Sequence, residues 1–148
     1  MIITYIWKMN DTILIKEQNT RITKRIKEVL AEFQEIEFAY LFGSFLKKDI
    51  FNDVDLAFYV SMDFNPYNEM KYSLKVGRLI ERKIEPRYEF DTKILNHAPI
   101  LFQYEIIRTG KVVFSRNKTK RIRYEAMVLS NYLDYKETSD WFDRKFLA

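Results

Sequence analysis

Hydrophobic positions along the chain switch between two spacings, and the switches mark the elements. Ile22, Ile26, Val29, Leu30 and Phe33 recur at helical spacing, which predicts an amphipathic helix over residues 18 to 34. Residues 36 to 42 (IEFAYLF) are apolar on both faces and rich in aromatics, as expected of a strand covered on both sides in the middle of a sheet. That strand ends at Gly43-Ser44. In VDLAFYV the period is two: Val54, Leu56, Phe58 and Val60 share one face, Asp55, Ala57 and Tyr59 the other, and the strand extends back to Asp53. Beyond Asn65-Pro66 the series Met70, Leu74, Ile80 and Ile84 predicts a helix stopped by Pro86, because the residue before a proline disfavours the helical region. A third strand follows, roughly Arg87 to Lys93.

Asn96 or His97 can cap a further helix that carries Pro99 in its first turn and ends at Gly110. Lys111 to Ser115 reads as a short strand. Ile122, Ala126, Leu129 and Leu133, at spacings of four, three and four, predict a long terminal helix, with Lys136 to Ser139 the place where it would break. Its aromatic residues Tyr132, Tyr135, Trp141, Phe142 and Phe146 are expected to close the core ahead of docking a partner. The opening run Met1 to Trp7 is either a hairpin strand closing on Asn10-Asp11 or an over-extended start before Met9. The order αβ(α)βαβαβα gives an α/β (α+β) fold, with a small, twisted mixed sheet and helices mainly on one face.

No internal repeat or low-complexity tract is present, and three glycines and three prolines leave no flexible linker. At 148 residues, 47% of them apolar, the chain is expected to be one domain over residues 1–148, with its core at about 20–135. The absence of cysteine excludes a disulfide framework, a thiolate zinc site and a cysteine nucleophile. A cytoplasmic setting is the expectation. No stretch approaches the roughly 18 uncharged apolar residues of a bilayer span, so no membrane role follows. A net charge of +4 suits a phosphate-bearing ligand or an acidic partner without calling for nucleic acid. The basic cluster Arg116, Lys118, Lys120, Arg121 and Arg123 reads first as a solvated helix start, and second as a patch for an acidic partner or RNA. His97, the single histidine, reads as a helix-cap neighbour and not as a base.

The chemistry concentrates elsewhere. Carboxylates at i and i+2 of a strand point to one face with Cα atoms about 6.5 Å apart, close enough for their oxygens to share one or two magnesium ions. Asp53 and Asp55 have this spacing. Ions about 3.5 to 4 Å apart hold the triphosphate and stabilise the attacking and leaving oxygens in phosphoryl and nucleotidyl transfer. Gly43-Ser44, closing a buried strand before the short segment Phe45 to Asp49, has the chemistry of an anion site: backbone N–H groups and a hydroxyl can donate to phosphate. Lys47 and Lys48 add positive charge nearby. Asp91 on the next strand is the best third carboxylate, able to ligate metal or accept the proton of an attacking hydroxyl, with Glu89 as fallback on the same face.

The segment LFGSFLKKDIFNDVDL resembles the Gly-Ser, spacer, Asp-x-Asp signature of the DNA polymerase beta-like nucleotidyltransferases. The size resembles their minimal branch, and FDTKILNHAPILFQYEIIRTGKVVF is similar to the stretch that there bears a third aspartate, a helix and a glycine-bounded strand. The resemblance spans roughly residues 20 to 135. It implies AMP transfer from ATP with magnesium, two ions, to a hydroxyl acceptor. It implies Gly43 and Ser44 on the triphosphate, Asp53 and Asp55 on metal, and Asp91 as ligand or base. Many minimal members are antitoxins that adenylylate a tyrosine of a helical HEPN-domain toxin encoded beside them, and that toxin is the partner expected. The chain departs from the pattern at Leu46-Lys47-Lys48-Asp49, where a glycine is common, in its shorter Ser44 to Asp53 spacer, and at Ile94, where an acid is common. Two other readings accompany this one: a catalytically silent toxin-binding module, and a transferase acting on a small molecule such as an antibiotic. A chain this small has no separate acceptor domain, so the acceptor is expected to be a protein or to be held by a homo- or hetero-oligomer.

Overall fold

The computed structural model describes residues 20–43, 53–84 and 88–147. The expectations for Met1 to Trp7, the turn at Phe45 to Asp49, Pro86 and Arg87 lie outside those residues. Helix α1 covers 20–31, followed by β1 (Ile36–Phe42), β2 (Asp53–Val60), α2 (Pro66–Lys83), β3 (Glu89–Ile94), α3 (Ile100–Thr109), β4 (Lys111–Ser115) and α4 (Lys118–Phe146). The sheet order is β3-β2-β1-β4, with β1 antiparallel to both β2 and β4 and β2 parallel to β3. Apart from the bracketed helix between β1 and β2, which falls outside the described residues, the predicted order and mixed sheet are present.

β1 is central, and its apolar character on both faces follows from two cores that meet across it. On one face Ala39 and Leu41 join Val54, Leu56, Phe58 and Val60 beneath α1 and α2. On the other, Phe38, Tyr40 and Ala57 pack with Leu95, Ile106, Tyr124 and Val128 beneath α3 and α4. Helices expected mainly on one face are thus divided between two. All five apolar positions read for α1 and its exit, Ile22 to Phe33, are buried.

The apolar spacing is half right for α2, where Ile80 and the Ile84 that follows it are buried, and faces the wrong way in α4. In α2 the buried residues are Ser73, Val76, Gly77 and Ile80, while Met70 and Leu74 are 55% and 50% exposed. Polar contacts set that rotation. Ser73 Oγ donates to the Thr92 carbonyl at 2.9 Å, Thr92 Oγ1 donates back to the Ser73 carbonyl at 2.8 Å, and Gly77 admits Thr92 against the helix. In α4 the buried residues are Tyr124 and Val128, while Ile122, Leu129 and Leu133 are exposed, as is Ala126. Here Tyr40 of β1 donates its hydroxyl to Glu125 at 2.7 Å, Arg121 pairs with the same carboxylate at 3.0 Å, and Tyr124 donates to Gln103 of α3 at 2.7 Å. The buried hydrogen bonds fix the helix and leave the apolar stripe outside.

α4 runs unbroken through Lys136 to Ser139, and Trp141, Phe142 and Phe146 are exposed instead of closing the core. Tyr132 alone of that aromatic set packs back, stacked on Tyr104. The basic cluster is partly structural: Arg116 donates to the carbonyls of Ala31, Phe33 and Ile36, and Lys120 pairs with Glu37. The N-cap of α3 is Pro99, without a side-chain cap. Asn96 is occupied elsewhere, its amide bridging the Val60 N–H and carbonyl at 2.9 and 2.8 Å.

The two sides of α2 separate in stability. Ile80→Ala should cost about 2–5 kcal/mol by leaving a cavity in the core, whereas Leu74→Ala should stay within about 0.5 kcal/mol. Urea unfolding of the two variants checks this.

Candidate active site

The strand pairings bring the carboxylates together. In the β2–β3 register Asp53 stands beside Glu89 and Asp55 beside Asp91. Strands lie about 4.8 Å apart and residues of like parity share a face, so Asp53, Asp55, Glu89, Asp91 and Lys93 all project from one side of this end of the sheet. β1 adds Gly43, since Phe42 pairs with Asp55 and the chain leaves the sheet at the next residue. Gly43 has φ of +76°, and a Cβ there would collide with Asp55 Oδ2 and stand 3.1 Å from its Cγ. Only glycine combines that left-handed backbone with so close an approach.

Sequence reading placed Asp53, Asp55, Asp91 and Gly43 in one site, and the structure brings these four together. Ser44 and Lys47 lie outside the described residues. Lys93 was missed. It sits two residues after Asp91 on the same strand face, with Nζ 3.5 Å from Asp91 Oδ1. The strand period alone would have found it. His97, expected to be a helix-cap neighbour, is flanked by two acids, with Nδ1 3.0 Å from Glu69 and Nε2 3.3 Å from Asp63. The hydrogen bond to Glu69 first, then the two carboxylate charges, hold the imidazolium above the ordinary histidine range. A cavity of about 760 Å³ runs along the β3 edge beneath α2, bordered by Asp91, Lys93, His97, Met70 and Leu74.

Electrostatics single out Asp55. Burial pushes its carboxyl above the usual range, the charges of Asp91 and then Asp53 push it further, and Lys93 pulls it back in part. Among the described residues no three carboxylate or imidazole groups are gathered closely enough to hold an ion as they stand, and Asp91 is paired with Lys93. The donor set nevertheless suits a divalent cation. Its members are hard oxygens on adjacent strands, and their mutual repulsion is what a cation relieves.

The sign of the Asp55 shift gives a stability test. A carboxyl whose folded value is raised favours folding while protonated, and loses that advantage as pH climbs from its unfolded value of 3.8 through the folded one. Asp55→Asn should therefore raise the melting temperature of the metal-free protein at pH 7, and the gain should shrink toward zero as pH falls to about 3.8, in thermal melts across that range.

Among the described residues no helix is long and apolar enough to cross a membrane. No curated protein matches the chain in sequence. Solved structures do match its fold. A toxin-antitoxin structure with AMP-PNP superposes at a TM-score of 0.65 with 15% identity, over 85% of this chain and 98% of that one. The complex of a tri-AMPylated Shewanella oneidensis HEPN toxin with its MNT antitoxin gives 0.60 and 14%, over 90% and 99%. The MntA-HepT toxin-antitoxin structure gives 0.59 and 14%, over 90% and 99%. In sequence, residues 24–119 match the polymerase beta nucleotidyltransferase family, a span that takes in Gly43, the paired aspartates of β2 and Asp91 of β3. The chain belongs to the polymerase beta nucleotidyltransferase family.

Proposed function

We propose that the protein transfers AMP from ATP to a hydroxyl group, a tyrosine first among the candidates, of a HEPN-domain toxin, and so acts as that toxin's antitoxin. The observation that carries the reading is the register that sets Asp55 beside Asp91, two residues from Asp53 and beneath Gly43. Similar folds support it, because one was solved with AMP-PNP and another in complex with an AMPylated HEPN toxin.

Asp53, Asp55 and Asp91 would hold magnesium, two ions fitting three carboxylates. When bound, it would neutralise the triphosphate and stabilise charge on the attacking and leaving oxygens. The backbone at Gly43, with Ser44 and Lys47 beyond it, binds the phosphates. Asp91 accepts the proton of the attacking hydroxyl. The hydroxyl oxygen forms a bond to the α-phosphorus, the bond from that phosphorus to the α,β-bridging oxygen breaks, and pyrophosphate leaves. Asp55 positions the group it holds by its place against the Gly43 turn, which fixes the carboxylate next to the phosphates. Lys93, freed from Asp91, adds a positive charge at the same edge.

The test mixes the protein, α-labelled ATP, magnesium and the HEPN-domain protein encoded beside it. Label should move to the toxin, and EDTA should stop it. Asp53→Asn with Asp55→Asn should abolish transfer with the circular-dichroism spectrum unchanged. Asp91→Asn should slow transfer by about 10²–10⁴-fold, the usual contribution of a positioned base. Undiminished labelling by the double variant would sink the assignment.

A further inference from the structure

The cavity of about 760 Å³ along the β3 edge falls in the size range of ligand sites, and the phosphate chemistry does not use it. Its position decides what can enter. Gly43, the two aspartates of β2 and Asp91 follow the sheet order β1, β2, β3, so the Gly43 turn and Asp91 stand two strand spacings apart, about 10 Å. With the departing phosphates on the Gly43 side, in-line displacement brings the attacking oxygen to the α-phosphorus from the opposite side, that of β3. The cavity begins there, at Asp91 and Lys93, and runs beneath α2 toward His97, past the end of β3. The nucleotide takes one side of Asp91, which leaves the other to the acceptor.

The lining indicates what kind of hydroxyl fits. Met70 and Leu74 of α2 border the cavity while 55% and 50% exposed, and no contact within the fold accounts for the apolar surface they show. Ser73 and Thr92, also on its walls, are hydrogen-bonded to each other. An apolar slot with a carboxylate at its mouth suits an apolar body that carries one hydroxyl at its tip, which is the phenol of a tyrosine. A methionine thioether adds favourable contact with an aromatic ring. A serine or threonine hydroxyl stands one bond from Cβ and has no body to lay against Met70 and Leu74. A sugar brings several hydroxyls to walls whose own hydroxyls are already occupied.

We propose that this cavity is the acceptor site, holding a tyrosine side chain of the partner protein against Met70 and Leu74 with its hydroxyl at Asp91. The proposal rests on the transferase reading, and adds to it where the acceptor lies and which residues select it.

Steady-state labelling of the HEPN-domain protein encoded beside it, with α-labelled ATP and magnesium, tests the site. Leu74→Arg puts a long charged side chain into the slot from a solvent-exposed position, so the circular-dichroism spectrum should hold. KM for the protein acceptor should rise by about tenfold or more while KM for ATP stays unchanged. Leu74→Met keeps the apolar wall and should keep the original acceptor KM. Mass spectrometry of the labelled protein should find AMP on tyrosine. An acceptor KM unmoved by Leu74→Arg, or AMP on serine or threonine, overturns the proposal and leaves the transferase reading standing. A joint rise of both KM values puts the nucleotide in the cavity and overturns it as well. Absence of transfer by the unaltered protein removes the transferase reading itself, and the acceptor site with it.

Discussion

The in-register parallel pairing of β2 with β3 is the constraint on which the rest of the structure turns. Parallel strands cannot be joined by a tight turn, so α2 must cross between them, and its return along one face of the sheet builds half of the core. The same pairing places Asp55 beside Asp91, so a decision about chain connectivity is also a decision about charge. The sheet holds like charges together that would separate if free. Burial first, and then the charges of Asp91 and Asp53, displace the titration of Asp55 upward, and Lys93, paired with Asp91, offsets part of it.

Strands proved more legible than helix faces. β1 was readable to the residue because a central strand buried on both sides has no polar alternative, and β2 because its period of two is interrupted only by the aspartates that matter. The helices α2 and α4 were placed along the chain, but α2 buries only the Ile80 and Ile84 end of its apolar series and α4 turns its series outward. Apolar spacing reports which side of a helix is greasy, and burial follows that side only when nothing stronger fixes the rotation. In α2 the reciprocal Ser73–Thr92 hydrogen bonds fix it, and in α4 the Tyr40–Glu125–Arg121 group does. Both involve partners far away in the chain, which spacing cannot reveal.

The site was legible for a related reason. Asp53, Asp55 and Gly43 are near neighbours in sequence, joined by one strand pairing, so local pattern was enough. Asp91 needed the additional inference that β3 lies next to β2. Lys93 was open to the same argument. The partners of His97 were not: Asp63 and Glu69 come from the segment before α2 and from its first turn, and only the folded chain sets them on either side of the ring.

β3 is an edge strand, held on its outer side by α2 through Ser73 and through Glu81, which accepts the Phe90 N–H. Edge strands open more readily than central ones, at free energies well below that of global unfolding. The third carboxylate therefore rides on one of the least anchored strands of the domain, while Asp53 and Asp55 ride on an interior one. The alignment of the three acids and overall stability are in consequence separable properties of this fold. A change at Ser73 or Glu81, remote from any phosphate, acts on the site as a loosened hinge acts on a door, leaving the building intact while the fraction of time the three acids stand together falls.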